Sequence, residues 1–252
     1  MTKQNDKVLT FSKEGLERLK TISGVTNNSF IQREVFVQDA GRNMFLRATV
    51  IDIPDDFTMP VFDINEFIST YKMVDNPAVD YSKLDDKGFV KIFKNDDSKG
   101  SEFFKYFKRE ENLMGNNINI ELEEKIISKF SDEKNSFTIS KEKIARILKA
   151  SSILDAKCIT ITPKDDVITI KTINPKTNKL NTNTFEIDID NNVEIGLPDV
   201  DFNLEYILFA KIEKDVDEYD IHIRINEKGK KMLVIENKER GLCFYMGESN
   251  NI

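Results

Sequence analysis

The sequence has no tryptophan, a single histidine and only two cysteines. His222 has no second histidine with which to share a metal, and Cys158 and Cys243 lie in separate alternating runs without a CxxC spacing. Metal and redox sites need ligands or thiols that are clustered. We therefore predict that both cysteines are reduced, buried strand residues, and that His222 is an ordinary strand residue.

Long apolar segments are also missing. No run approaches the ~20 apolar residues that a membrane helix needs. Residues 1–11 lack the apolar region of a secretory signal. These features predict an intracellular protein that has no membrane partner.

Catalytic signatures are absent as well. The sequence contains no P-loop, no GxGxxG and no GxSxG, and no nucleophile has a base beside it in sequence. Acidic pairs such as Asp215 and Asp217 could serve a two-metal nuclease, but most pairs have turn-forming neighbours and are better explained as solvated turns. We predict that the protein is not an enzyme and has no catalytic residue, metal or cofactor. A nuclease is the last of our hypotheses.

Acidic residues outnumber basic ones. The formal net charge is −7 at pH 7, with a pI near 5.1. A generic nucleic-acid binder is usually basic, so the total charge argues against that class. It leaves room for one local basic surface, because the position of the 37 lysines and arginines matters more than their number.

Most of the chain alternates between apolar and polar residues, which is typical of antiparallel strands. Strands are predicted at 30–38, 44–52, 57–62, 88–94, 101–108, 157–164, 166–173, 183–190, 205–212, 219–225, 231–237 and 242–246. Helices are predicted at 12–23, 63–74 and 140–152, where apolar residues recur at helical spacing. The hydrophilic stretches 75–87 and 95–100 are predicted to be loops.

The order of the elements is similar in the two halves of the chain. We predict an α+β fold of two tandem, like-folded domains, each an antiparallel sheet with helices on one face. The domains are placed at 1–108 and 137–252. The linker at 109–136 is rich in charge and asparagine, and its second part is predicted as a short helical or extended segment.

One helix occurs twice in the sequence, half a chain length apart. TFSKEGLERLKTIS at 10–23 returns as TISKEKIARILKAS at 138–151. Each copy has a serine placed to cap the helix, and apolar residues that can hold the helix on its sheet. Arg18 and Arg146 occupy matching positions on what we predict is the exposed face. A solvated face that is basic by chance is one interpretation, but the recurrence favours a pseudo-symmetric basic surface with a function.

These segments together resemble the sliding clamps of DNA replication, and more closely those of T-even-type bacteriophages. The resemblance lies in LTFSKEGLERLKTIS, VFDINEFISTYKMV, FTISKEKIARILKASSILDAKCITI and YILFAKI. It implies the DNA clamp fold, in a ring of three subunits with sheets outside and helices lining the hole. It also implies duplex DNA bound without sequence specificity, a tethered DNA polymerase, an ATP-driven clamp loader, and the cytoplasm of an infected bacterium.

The resemblance implies that cations on the lining helices face DNA. These residues are Lys13, Arg18, Lys20, Lys72, Lys141, Arg146 and Lys149. A fourth lining helix is expected near residues 199–204, where the sequence is acidic and offers no lysine. A few phosphate contacts give affinity without sequence readout, which suits a protein that must slide.

Protein contacts are implied too. Ring closure needs head-to-tail contacts, which we assign to the edge strands SEFFKYFK and TNTFEIDID. The subunit-interface residues are Phe103, Lys105, Phe107, Phe185 and Ile187. A pocket for a partner peptide is expected near the linker and involves Phe36, Phe45, Leu113, Met114, Phe244 and Met246. The alternatives are protected edge strands for the first set and ordinary core residues for the second.

A second class of function competes with the clamp. The chain could be a non-catalytic structural or interaction protein built from duplicated α+β units, for example a phage assembly component. Such a protein would need neither a ring nor a DNA-facing surface.

Overall fold

The computed structural model describes residues 7–95, 103–111, 121–164, 166–174, 183–198 and 200–249, and omits the side chains of 131–133. It divides into two compact units. The first comprises residues 1–40 and 47–118, and the second comprises 41–46 and 119–252. The domain boundaries at 108 and 137 stay a prediction.

The first unit is built from short strands and three helices among its described residues. Its elements are β1 (Val8–Leu9), α1 (Lys13–Val25), β2 (Ser29–Gln32), β3 (Glu34–Gln38), β4 (Met44–Thr49, whose first residues count with the second unit), β5 (Thr58–Val61), α2 (Ile64–Lys72), β6 (Pro77–Asp80), α3 (Leu84–Lys87), β7 (Phe89–Lys94) and β8 (Phe103–Phe107). One antiparallel sheet has the order β1-β6-β7-β8, while β2 pairs with β5 and β3 with β4.

Side-chain caps start both long helices of this unit. The Ser12 hydroxyl accepts the backbone N–H of Gly15 at 3.0 Å, and the backbone N–H and hydroxyl of Ser12 donate to Asp52 at 2.9 and 2.8 Å. Gly15 is required here, because an added Cβ would lie 1.9 Å from Asp52 Oδ2. Asp63 caps α2 by accepting the Glu66 N–H at 2.8 Å. Both predicted caps are confirmed.

An aromatic cluster fixes these helices to their sheet. The ring of Phe11 meets Phe67 and Tyr71 edge to face, with centroids 6.0 and 5.3 Å apart. The Tyr71 hydroxyl accepts the Phe11 N–H and donates to the Pro77 carbonyl, both at 2.9 Å. Burial raises the pKa of Tyr71, so the hydroxyl stays neutral and joins α2 to β6 and to Phe11, two residues before α1.

The second unit has two sheets and its own helices. Its elements are α4 (Glu121–Ile127), β9 (Phe130–Ser140), α5 (Lys141–Ile153), β10 (Cys158–Lys164), β11 (Val167–Ile173), β12 (Phe185–Ile189), β13 (Glu194–Ile195), β14 (Phe202–Glu205), α6 (Tyr206–Phe209), β15 (Glu218–Asn226), β16 (Lys231–Asn237) and β17 (Leu242–Gly247). One sheet has the order β12-β11-β10-β14. The other runs β13-β9-β15-β16-β17, with the start of β4 beside β17. Ser140 caps α5 as predicted.

The fourth predicted helix is the largest error of placement. The expected helix near 199–204 is wrong, because Phe202–Glu205 is a strand that pairs with β10, while Asp199 lies outside the described residues. The strand predicted at 205–212 is also wrong, because Tyr206–Phe209 is helical. Buried residues explain both: Phe202 and Leu204 alternate around Asn203, whereas Leu208 and Ile212 recur at helical spacing.

Three smaller differences concern the bounds of predicted loops and strands. The predicted loop at 75–87 contains β6 and α3, which bury Ala78, Val79 and Leu84. The strand predicted at 30–38 is two strands that break at Arg33. The second part of the predicted linker holds α4 and the start of the long strand β9.

The two cysteines are buried strand residues that form no disulfide bond, as predicted. Burial raises the pKa of Cys158 to about 11, so its thiol stays protonated and unreactive near neutral pH. No helix in the described part of the chain is long and apolar enough to cross a membrane.

Candidate functional site

The exposed side of α1 carries two of the predicted DNA-facing cations. Lys13 and Lys20 are exposed, whereas Gly15, Leu19 and Ile22 form the buried stripe on the opposite side. The Lys20 ammonium lies 2.5 Å from the Glu17 carboxylate. Such an exposed pair contributes little stability, so Lys20 can exchange this partner for a phosphate at small cost.

Arg18 does not belong to this surface. Its side chain is only about 1% exposed, and its guanidinium donates to the Thr49 carbonyl at 2.8 Å and lies 3.6 Å from the Glu14 carboxylate. The prediction that Arg18 lies on an exposed, DNA-facing side is wrong. It falls on the buried stripe with Leu19 and Ile22, at helical spacing from Gly15.

The second copy of the repeat is buried along a different stripe. In α5 the buried residues are Ile144, Ile147, Leu148 and Ser151, which is one position further along the alignment than in α1. Arg146 is therefore exposed, and its guanidinium lies 6.0 Å from the centre of the Phe185 ring. Identical arginines in the two copies thus have different environments.

The remaining predicted cations lie on α2 and α5. Lys72 is exposed in the last turn of α2, and Lys149 is exposed on α5. Lys141 is half-buried at the start of α5, with its ammonium 3.1 Å from the Asp215 carboxylate. Helices α1 and α2 touch, because the Ser23 hydroxyl of α1 donates to Asn65 of α2 at 3.0 Å.

The sequence interpretation missed two lysines. Lys211 is half-buried and Lys214 is exposed, just after α6. They were overlooked because the fourth helix was placed too early in the chain. The helical spacing of Leu208 and Ile212 could have located it.

Strand β8 is the outer edge of its sheet and exposes three phenylalanines. Phe103, Phe104 and Phe107 are 43%, 40% and 58% exposed. Tyr106 is the anchored residue: its hydroxyl donates to the Asp63 carbonyl at 3.1 Å, and its ring meets Phe67 of α2 at 5.2 Å. Burial raises the pKa of Tyr106 to about 12. Alternation therefore puts Phe104 on the α2 side, and the other two phenylalanines opposite.

Strand β12 is the edge of the corresponding sheet in the second unit. Its Phe185 and Ile187 are half-buried on the side of α5, and the alternate residues Glu186 and Asp188 are exposed. Both strands that were predicted to be edges therefore lie at a sheet end, and both combine apolar with charged residues.

A cavity of about 380 Å³ lies in the second unit, within the usual size range of ligand pockets. Its apolar lining comes from Phe45, Ile126, Phe130, Met232, Tyr245 and Met246, and its polar rim from Arg42, Lys230, Lys231 and Glu248. The Tyr245 hydroxyl donates to the buried carboxylate of Glu123, which fastens α4 to β17. Ile126, also on α4, is thereby held in the cavity wall.

The predicted pocket residues divide between this cavity and the core. Phe45 and Met246 line the cavity. Phe36 and Phe244 do not line it, and both are buried in the core. Phe244 pairs with Ile235 on β16, and its ring centroid lies 6.4 Å from that of Tyr219, so the sheet covers it. Leu113 and Met114 lie outside the described residues.

No group of three or more histidine, cysteine or acidic side chains in the described ranges is arranged to hold a metal ion. His222 instead pairs with Glu236, at 3.0 Å between Nε2 and the carboxylate. This hydrogen bond lowers the pKa of Glu236.

Comparison with known proteins identifies the fold. No protein-family model and no curated protein matches the sequence. The chain is similar to the solved structure of proliferating cellular nuclear antigen from Entamoeba histolytica, with a TM-score of 0.62 and 15% identity over 96% of this chain and 98% of that one.

Two further solved structures are similar to this chain. A putative DNA polymerase III beta subunit from Eubacterium rectale matches with a TM-score of 0.62 and 14% identity, over 96% of this chain and 65% of that one. A structure described as the C-terminal region of FEN-1 bound to A. fulgidus PCNA matches with a TM-score of 0.63 and 10% identity, over 97% and 98%. The predicted DNA clamp fold is confirmed.

Proposed function

We propose that this chain, having the DNA clamp fold, is a sliding clamp that encircles duplex DNA and tethers the replicative DNA polymerase for processive synthesis. The observation that carries the proposal is the likeness to clamps over almost the whole chain, so that both units have a counterpart. The protein acts by binding and catalyses no reaction.

The DNA-facing surface consists of the exposed cations on or beside the helices. In the first unit these are Lys13, Lys20 and Lys72, and in the second they are Arg146, Lys149 and Lys214, with the half-buried Lys141 as a weaker member. Arg18 is excluded by its burial. Sparse cations on helices offered side-on attract phosphate without reading bases, which permits sliding and agrees with the acidic total charge.

The ring is proposed to be a homotrimer that closes head to tail through β8 of one copy and β12 of the next. Phe103, Lys105 and Phe107 contribute from the first edge, and Phe185 and Ile187 from the second. The T-even-type resemblance supports a bacteriophage origin. It also supports loading by an ATP-driven clamp loader in the cytoplasm of an infected bacterium.

The cavity beside β17 is the proposed docking site for the polymerase. One clamp-like structure is described as holding the C-terminal region of another protein. In this chain the cavity offers an apolar floor, at Phe45 and Met246, and a charged rim. It therefore suits a short segment with an apolar anchor.

Replacing Ile126 with glutamate tests this site. A charge in the cavity wall should weaken binding of the polymerase at least about tenfold, because an apolar anchor would meet an unpaired carboxylate. The matched control is Ile51→Glu, at an exposed apolar residue in a turn of the first unit. Polymerase affinity and the length of primer extension are measured for both variants. Equal affinities would refute the site.

Sedimentation tests the proposed function against the competing structural protein. A clamp should sediment as a trimer at micromolar concentration, whereas independent duplicated units need no closed assembly. A chain that stays monomeric at every concentration tested would contradict the ring.

A further inference from the structure

Building on the proposed ring, we propose that its joint is selected by charge. Lys105 on β8 of one copy pairs with Asp188 on β12 of the next, so the salt concentration sets how firmly the ring is closed. We call this pair the ionic lock: Lys105 lies on the first unit of one copy, and Asp188 lies on the second unit of the next.

The β8 edge carries positive charge that no carboxylate in the described part of the chain neutralises by an ion pair. Lys105 lies directly opposite Lys91 of β7 in the sheet register, and like charges in that position repel. The two ammonium groups lie 5.9 and 4.8 Å from the centre of the Phe103 ring, which offsets part of the repulsion. Neither lysine forms an ion pair with a carboxylate of the described residues. A partner subunit that places a carboxylate here would relieve the repulsion between the two lysines.

The β12 edge carries the complementary charge. Glu186 has a cation already, the Lys171 ammonium at 2.7 Å, and Asp190 lies 3.7 Å from that of Lys143. Asp188 lies between them: its carboxylate accepts a neutral donor, the Thr169 hydroxyl at 2.7 Å, and the Lys143 ammonium reaches only its backbone carbonyl, at 3.4 Å. Among these three carboxylates, Asp188 is therefore the one whose charge is least neutralised.

The faces of the two strands also agree. When one sheet continues into the next with the helices on the same side, Phe104 meets the half-buried Phe185 and Ile187. On the opposite side, Lys105 then meets Asp188. Pairing β8 with β8, or β12 with β12, would instead put like charges together. Charge thus favours the head-to-tail joint that a closed ring requires.

This arrangement has a consequence for ring opening. Both side chains lie at an exposed edge, where salt screens their attraction. The apolar contacts of Phe104, Phe185 and Ile187 are not screened in this way. Raising the salt concentration should therefore weaken the contact between subunits but leave its apolar contacts in place.

Charge exchange provides the test. The variants are Lys105→Glu, Asp188→Lys and the double exchange, with Lys228→Glu, at an exposed turn in the second unit, as the control for net charge. Sedimentation velocity follows trimer and monomer from about 0.1 M to about 1 M salt. Thermal melting verifies that each variant is folded.

Each single exchange should raise the protein concentration at half-assembly by at least about tenfold, and the double exchange should restore it. The control should assemble like the original chain, and the original trimer should weaken as salt rises. Trimers that are unaffected by the single exchanges, or a double exchange that fails to recover, would overturn the ionic lock but leave the ring intact. A chain that is monomeric throughout would overturn both proposals.

Discussion

Replacing Arg18 with alanine is expected to lower the free energy of unfolding of the first unit by about 2–4 kcal/mol. The change removes a buried guanidinium, leaves the Thr49 carbonyl without that donor and removes the cation beside Glu14. It also leaves a cavity next to Leu19 and Ile22. Denaturant unfolding measures the loss, and the salt dependence of DNA binding should stay as it was.

The repeat supplies the matched control for this prediction. Arg146 stands at the same place in the second copy but is exposed. Arg146→Ala should change stability by less than about 0.5 kcal/mol and should reduce the salt dependence of DNA binding. If Arg18→Ala weakened DNA binding and left stability unchanged, the burial of Arg18 would not describe the protein in solution.

Reversing the exposed helix cations should produce the largest loss of DNA binding. The substitutions are Lys13→Glu, Lys20→Glu, Lys72→Glu, Arg146→Glu and Lys149→Glu. Each phosphate contact contributes about 0.9 to the slope of log K against log salt. We therefore expect a shallower slope and an affinity roughly 100-fold lower at low salt. Binding to duplex DNA across a salt series measures both quantities.

An equal change of charge elsewhere controls for simple repulsion. The control chain reverses five exposed lysines that lie away from these helices: Lys87, Lys94, Lys164, Lys228 and Lys238. The control chain should lose much less affinity for DNA and should keep the slope of log K against log salt. Equal losses in the two chains would show that total charge, rather than the helix faces, governs DNA binding.

Local sequence signals predicted much of the fold. Ser12, Asp63 and Ser140 start their helices as predicted, because a cap depends on residues within one turn. Strands β16 and β17 have the predicted starts, because alternation and a turn define them locally. The clamp fold followed from the order of such elements and from a family resemblance.

Burial was predicted less well than secondary structure. The aligned helices α1 and α5 have the same period but different buried stripes, since Gly15 in α1 makes room for Asp52 and the matching residue in α5 is Lys143. Which side of a helix faces the sheet depends on packing partners distant in sequence. Arg18 was consequently placed on the wrong side.

The cavity likewise depends on contacts between residues that are distant in sequence. Ile126 and Tyr245 are far apart in sequence and line one cavity because Glu123 joins α4 to β17. No local sequence pattern predicts that contact. Phe45 and Met246 were named from their expected position in a clamp, and the same argument also named Phe244, which does not line the cavity.

Retention on DNA of different topology tests the central claim most directly. The protein is loaded onto circular duplex DNA, and unbound protein is removed. In half of the sample the DNA is then cut once, and the amount of protein that stays on the DNA is measured over time in both halves. If the protein encircles DNA, we expect long retention on the intact circle and rapid loss from the linear form, because a ring can slide off an end. Equal retention on circular and linear DNA would contradict it.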